Sequence, residues 1–144
     1  MVGYSEGTTM RYLAIYGATL AVFLGLDFVW LSFVARSLYM SEIGPLLLPQ
    51  GRLGPALLFY LIYIIGVVVF VIVPAVARGK ASRATLFGAL FGLVAYSTYD
   101  LTNLATLKGF TEKLTLIDLT WGAVATAIAA SVGYALGRRL LAKA

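Results

Sequence analysis

The 144-residue sequence contains no cysteine and no histidine. Without those two residue types, thiol catalysis, disulfides, histidine-ligated haem, histidine-box di-iron sites and the usual zinc sites are all excluded. Charge is scarce as well. Asp, Glu, Lys and Arg make up 12% of the chain, about half the share found in an ordinary soluble domain. The remainder is 61% hydrophobic and is arranged in apolar runs of roughly 20 residues, the signature of a membrane protein. Chemistry is left to Asp, Glu, Lys, Arg, Tyr, Ser, Thr or a partner's groups, and no cofactor or resident metal is expected. The net charge of +5 fits loop lysines and arginines facing an anionic leaflet. Aromatic and basic residues do not interleave as on a nucleic-acid surface, so no nucleic-acid partner is expected.

The apolar runs predict an all-α, polytopic four-helix bundle with spans at about 12–34, 55–77, 84–107 and 114–136. Residues 1–9 read as a flexible tail preceding a more natural start at Met10, and 10–144 as a single membrane domain. In span one, Gly17, Ala21 and Gly25 recur every four residues and predict a small-residue contact face. The connection from Arg36 to Gly54 is the longest. Its first part, to Ile43, prolongs the helix, and Gly44, Pro45, Pro49 and Gly51 then break it. Span two carries no charge and reads as a lipid-facing scaffold, with Pro74 kinking or ending its last turn. Span three contains the G-x-x-x-G pair Gly88 and Gly92, and Lys108-Gly109 supplies its stop. The short turn that follows makes spans three and four antiparallel neighbours. Span four carries a second small stripe, Ala125, Ala129, Gly133 and Gly137.

Four spans place both termini and the middle turn on one side of the membrane. That side holds seven of the eleven basic residues, Arg11, Arg78, Lys80, Arg83, Arg138, Arg139 and Lys143, against Arg36, Arg52, Lys108 and Lys113 on the other. The bias predicts cytoplasmic termini in the inner (plasma) membrane. Helix rise then sets depth. Asp27, Asp100 and Asp118 fall about 22, 24 and 28 Å from the inner side. Half of the six acidic residues therefore share one outer slab, and a carboxylate inside a span is costly enough to mark a functional site.

The candidate ligand- or ion-binding residues are Asp27, Trp30, Tyr96, Tyr99, Asp100, Asn103, Asp118 and Trp121. Trp30 and Trp121 each follow an aspartate by three residues. Tyr96, Asp100 and Asn103 lie along one helical stripe. Plain structural roles compete with a site. Asp118 has capping-box spacing from Thr115, and an anion suits a helix start. Asp27 could pair with a snorkelling Arg36. Asn103 and Tyr99 could clamp neighbouring helices, and the tryptophans could be interfacial anchors.

The run TYDLTNLATLKGF, the later Leu-Ile-Asp-Leu-Thr-Trp-Gly, the Asp-x-x-Trp of span one, the Leu-Phe-Tyr of span two and GALFGLVAYSTYDLTN together resemble the bacterial membrane proteins grouped as domain of unknown function 2177. The resemblance runs from about Met10 to Gly137, with Phe110 standing where Trp would be expected. It implies a small integral membrane protein and transfers no catalytic assignment.

Carboxylates gathered at one depth cannot all stay ionised without cations, so the cluster would hold a proton or bind a cation. Three classes follow. One is a binding or transport protein that takes a proton or cation with an amphipathic or lipid-like ligand, with a homodimer needed to line a path. Another is a lipid-modifying membrane enzyme using aspartates as acid/base groups or Mg²⁺ ligands. The third is an accessory subunit glued to a membrane partner by its polar residues. No metal-spaced acidic pair lies within one helix, which weakens the enzyme. The expected topology has a direct check, because any introduced cysteine is the chain's only thiol. In intact cells a cysteine replacing Gly51 should react with a membrane-impermeant reagent and one replacing Ser82 should not; the opposite pattern would reverse the orientation.

Overall fold

The computed structural model describes residues 6–141, all of its regular structure being helical. Helix α1, Glu6–Val29, passes through a π-helical turn, Trp30–Ala35, into α2, Arg36–Ile43, and ends in a 3-10 turn, Gly44–Leu46. Helix α3, Leu53–Gly66, passes through a second π turn, Val67–Ile72, into α4, Val73–Arg78. Helices α5, Ala81–Thr106, and α6, Glu112–Leu141, complete the chain. Residues 6–9, expected as tail, belong to the first turns of α1. Residues 1–5 and Lys143 lie outside the described residues.

Three helices among the described residues are long and apolar enough to cross a membrane: Glu6–Leu46, Leu53–Arg78 and Glu112–Leu141. Helix α5 has the length, 26 residues, but Arg83 near its start and the polar run from Tyr96 to Asn103 dilute its apolar character. Much of the outer surface is hydrocarbon. Phe33 is 80% exposed and Phe28, Phe70 and Leu86 are each nearly 70% exposed, a surface suited to lipid and not to water.

The core is built on the small side of α6. Gly122, Ala125, Ala129, Gly133 and Gly137 are buried along it, and α5 makes the most extensive contact with it. The Gly88/Gly92 pair is what lets the two backbones approach. A Cβ on Gly92 would run into the Gly122 carbonyl, and one on Gly88 would sit 2.8 Å from the Ala130 Cβ. The stripe on α1 behaves differently from its expectation. Gly17, Ala21 and Gly25 are exposed, and a Cβ on either glycine would meet nothing within 4 Å. Helix α1 instead buries Ile15, Thr19, Phe23 and Asp27. The reason is complementarity: α6 already supplies the smooth surface, so α1 turns its bulky face inward to fill it.

Two other features follow from backbone chemistry. Pro74 neither ends nor breaks its helix, because the π turn ahead of it absorbs the missing N–H and the ring's clash with the preceding turn. Gly79 (φ 65°) and Gly109 (φ 89°) take left-handed conformations after α4 and α5, where a side chain would be strained.

The contrast between the glycines yields a packing test. Gly92→Ala should destabilise the fold by about 1–3 kcal/mol, as overpacking does, and lower the unfolding temperature in detergent. Gly17→Ala should be neutral or stabilising by about 0.5–1 kcal/mol, as at an open helical position. Equal effects at the two sites would refute the packing described.

Candidate functional site

Asp27, Asp100 and Asp118 reach the interior from α1, α5 and α6, and each has different company. Asp27 is 7% exposed. Its Oδ2 accepts the Tyr60 hydroxyl from α3, and its Oδ1 accepts the Trp121 Nε1–H at 3.0 Å. Trp121 in turn stacks on Trp30, with ring centroids 4.5 Å apart and planes within 6°. The Trp30 Nε1 is buried without a partner. Asp118, also buried, accepts the Tyr39 hydroxyl on Oδ2, while its Oδ1 has no partner. Asp100 is fully buried and neither of its oxygens has a hydrogen-bond partner. Asp118 links the three, lying within electrostatic range of Asp100 and of Asp27.

Aromatic groups fill the space between them. The ring of Tyr96 lies against Gly122, where any side chain would collide with it, and within electrostatic range of Asp27 and Asp118. Tyr99 packs edge-on against Phe110, centroids 6.1 Å apart. Asn103 follows one turn later, half-buried. Next to the carboxylates is a cavity of about 360 Å³, lined by Leu31, Tyr39, Phe59, Ala95, Tyr96, Tyr99 and Asp118. Leu31, Phe59 and Tyr99 are about half exposed, so the cavity opens sideways onto the apolar surface.

Several sequence expectations are corrected here. Asp118 does not cap α6. The helix starts earlier, at Glu112, and its cap is Thr111, whose Oγ1 accepts the Leu114 N–H at 3.3 Å. Thr115 hydrogen-bonds back to the Thr111 carbonyl, which leaves Asp118 in the second turn, facing inward. Asp27 does not pair with Arg36. Among the described residues the one ion pair is Lys113–Glu42, at 2.8 Å. Span two is more than the lipid-facing scaffold expected: Leu57, Leu58, Leu61 and Ile62 are exposed, but it also supplies Tyr60 to Asp27 and Phe59 to the cavity wall. Tyr60 and Tyr39 were missed. The available signal was chemical: a tyrosine hydroxyl in an apolar stretch needs an acceptor when buried, and a carboxylate in a neighbouring apolar stretch is the strongest acceptor on offer.

Tyr39 is held in place by the far end of α2. Glu42 receives Lys113 Nζ on Oε1 and the Thr111 hydroxyl on Oε2, each at 2.8 Å. Below that clamp, Ile43, Phe110 and Leu114 bury one another. Lys113 first, and Thr111 second, hold the Glu42 carboxyl below its ordinary range. A carboxyl lowered in the folded state contributes at pH values above its unfolded pKa, and the contribution is lost as pH falls through the folded value. The clamp is therefore closed at neutral pH and released only in acid.

A family model described as "Predicted membrane protein (DUF2177)" matches residues 12–135. No curated protein and no solved structure matches.

The Asp27 node predicts an asymmetric response to losing one hydroxyl. Tyr60→Phe removes a donor from a buried carboxylate and should cost about 1–3 kcal/mol, seen as a lower unfolding temperature. It should also shift Trp121 emission, because the indole becomes the carboxylate's remaining donor. Unchanged stability and unchanged emission would show that the Tyr60–Asp27 bond is not made.

Proposed function

The chain belongs to the DUF2177 family of predicted membrane proteins, and on that footing we propose a four-span inner-membrane protein, termini in the cytoplasm, whose buried aspartates hold a proton beside a site for an amphipathic or lipid-like ligand. Helix α5 is the added span. Its outward residues Leu86, Leu90, Val94 and Leu101 are apolar and about half exposed or more, which supports a membrane path despite its polar inner side. The outer-half placement of the cluster rests on the excess of basic residues at the termini and the middle turn.

The observation that carries the proton is Asp100. An ionised carboxylate with no hydrogen bond and no counter-ion is among the costliest groups to bury. A proton removes that charge. A polyvalent metal fits less well, because among the described residues no three acidic side chains come together around one ion. The neighbouring carboxylate, Asp118, reaches the lateral cavity, which couples the proton to whatever occupies that space.

Linkage makes the reading testable. A folded state that keeps a proton binds more protons than the unfolded chain, so its stability falls as pH rises. Wild-type protein in detergent should therefore lose unfolding temperature with rising pH, and Asp100→Asn, which is neutral throughout, should flatten that slope. The infrared carbonyl stretch of a protonated carboxyl should be present in wild type and diminished in Asp100→Asn. A variant equally destabilised at every pH, with the carbonyl band unchanged, would make Asp100 a structural residue and end the proposal.

A further inference from the structure

The cavity wall narrows the class of ligand. Asp118 is 2% exposed and contributes to that wall. Its Oδ2 is occupied by Tyr39, but its Oδ1 is buried with no partner. A buried acceptor left open calls for a donor from whatever enters. The surrounding wall is aromatic, with Tyr39, Phe59, Tyr96 and Tyr99, and ring faces attract cations, more strongly where water is excluded. The wider field has the same sign. Asp27 lies within electrostatic range of Asp118, and no Lys or Arg forms an ion pair with either of them among the described residues.

We infer that this cavity receives the head of a cationic amphiphile, an ammonium carrying at least one N–H, which donates to Asp118 Oδ1 while its charge rests against the tyrosine and phenylalanine rings. The cavity's size, about 360 Å³, suits a head and the first few carbons. The half-exposed Leu31, Phe59 and Tyr99 then lead the hydrocarbon chain out onto the lipid-facing surface. An anionic head would meet only like charge. A neutral alcohol could donate to Oδ1 but would gain nothing from the rings. This assignment deepens the amphiphile part of the proposed function and leaves the proton on Asp100 as a separate matter.

The test uses full-length protein in a nonionic detergent and three probes of equal chain length: dodecylammonium, 1-dodecanol and dodecyl sulfate. Binding is followed by native mass spectrometry and by quenching of Trp30 and Trp121 emission. Dodecylammonium should bind saturably, and at least about tenfold more tightly than the alcohol or the sulfate, the ratio expected for one charge-assisted contact. Asp118→Asn should remove that preference. Ala95→Leu, which fills the cavity without touching a carboxylate, should weaken dodecylammonium binding to a similar degree and guards against a folding defect in the first variant. Equal binding of all three probes, or wild-type affinity in both variants, overturns the inference. If the carbonyl signature of Asp100 persists while dodecylammonium fails to bind, the ligand assignment falls and the proton reading stands. Loss of that signature alone does the reverse.

Discussion

The arrangement depends on one constraint: three carboxylates buried in an apolar helical protein, with no lysine or arginine paired to any of them among the described residues. Asp27 meets it with two neutral donors, the Tyr60 hydroxyl and the Trp121 indole N–H. Asp118 meets half of it through Tyr39, and Asp100 meets none of it. The gradient from satisfied to unsatisfied runs across the core, and its middle member, Asp118, lines a cavity. Buried polar groups in folded proteins are almost always paired, so the unpaired end of such a gradient is where a proton or a ligand is called for.

The constraint also explains why elements of no apparent chemical interest matter. Helix α3 is apolar apart from its two tyrosines, yet one of them anchors Asp27 and the other, Tyr63, meets Thr126 of α6 at 2.7 Å. Helix α2 lies beyond the length a membrane span requires, since α1 with its π turn already extends about 45 Å at the ordinary helical rise. It packs against the start of α6 and delivers Tyr39 to Asp118. The π turn at Trp30–Ala35 joins the two helices, and the Glu42 clamp with its apolar underlay fixes the far end. Interior donors and the strap that carries one of them are thus parts of a single solution.

Close approach of α5 and α6 is the mechanical counterpart. Gly88, Gly92 and Gly122 remove the side chains that would hold the helices apart. Asp100 and Asp118 are brought within electrostatic range by that contact, and Tyr96 occupies the space over Gly122. Small residues here do more than pack: they set the distance at which two carboxylates face one another.

The amino-acid sequence by itself determined the membrane character, the helical segments, the glycine stops after α4 and α5 and the G-x-x-x-G contact, because hydropathy, chain length and backbone sterics act locally. It also singled out Asp27, Asp100 and Asp118, since a carboxylate in an apolar run is conspicuous wherever it points. Only the tertiary structure decided which way each helix is turned. Gly17, Ala21 and Gly25 have the same spacing as the buried stripe of α6, yet they face outward, because the contact needs one smooth helix and one bulky one and the spacing is blind to which is which. The same freedom of rotation hid Tyr39 and Tyr60: a tyrosine in an apolar segment looks alike whether its hydroxyl meets lipid headgroups or a buried aspartate. Asp118 could be told from a helix cap only once the start of α6 was located at Glu112, since a displacement of one turn carries a side chain from the end of a helix to its inner face.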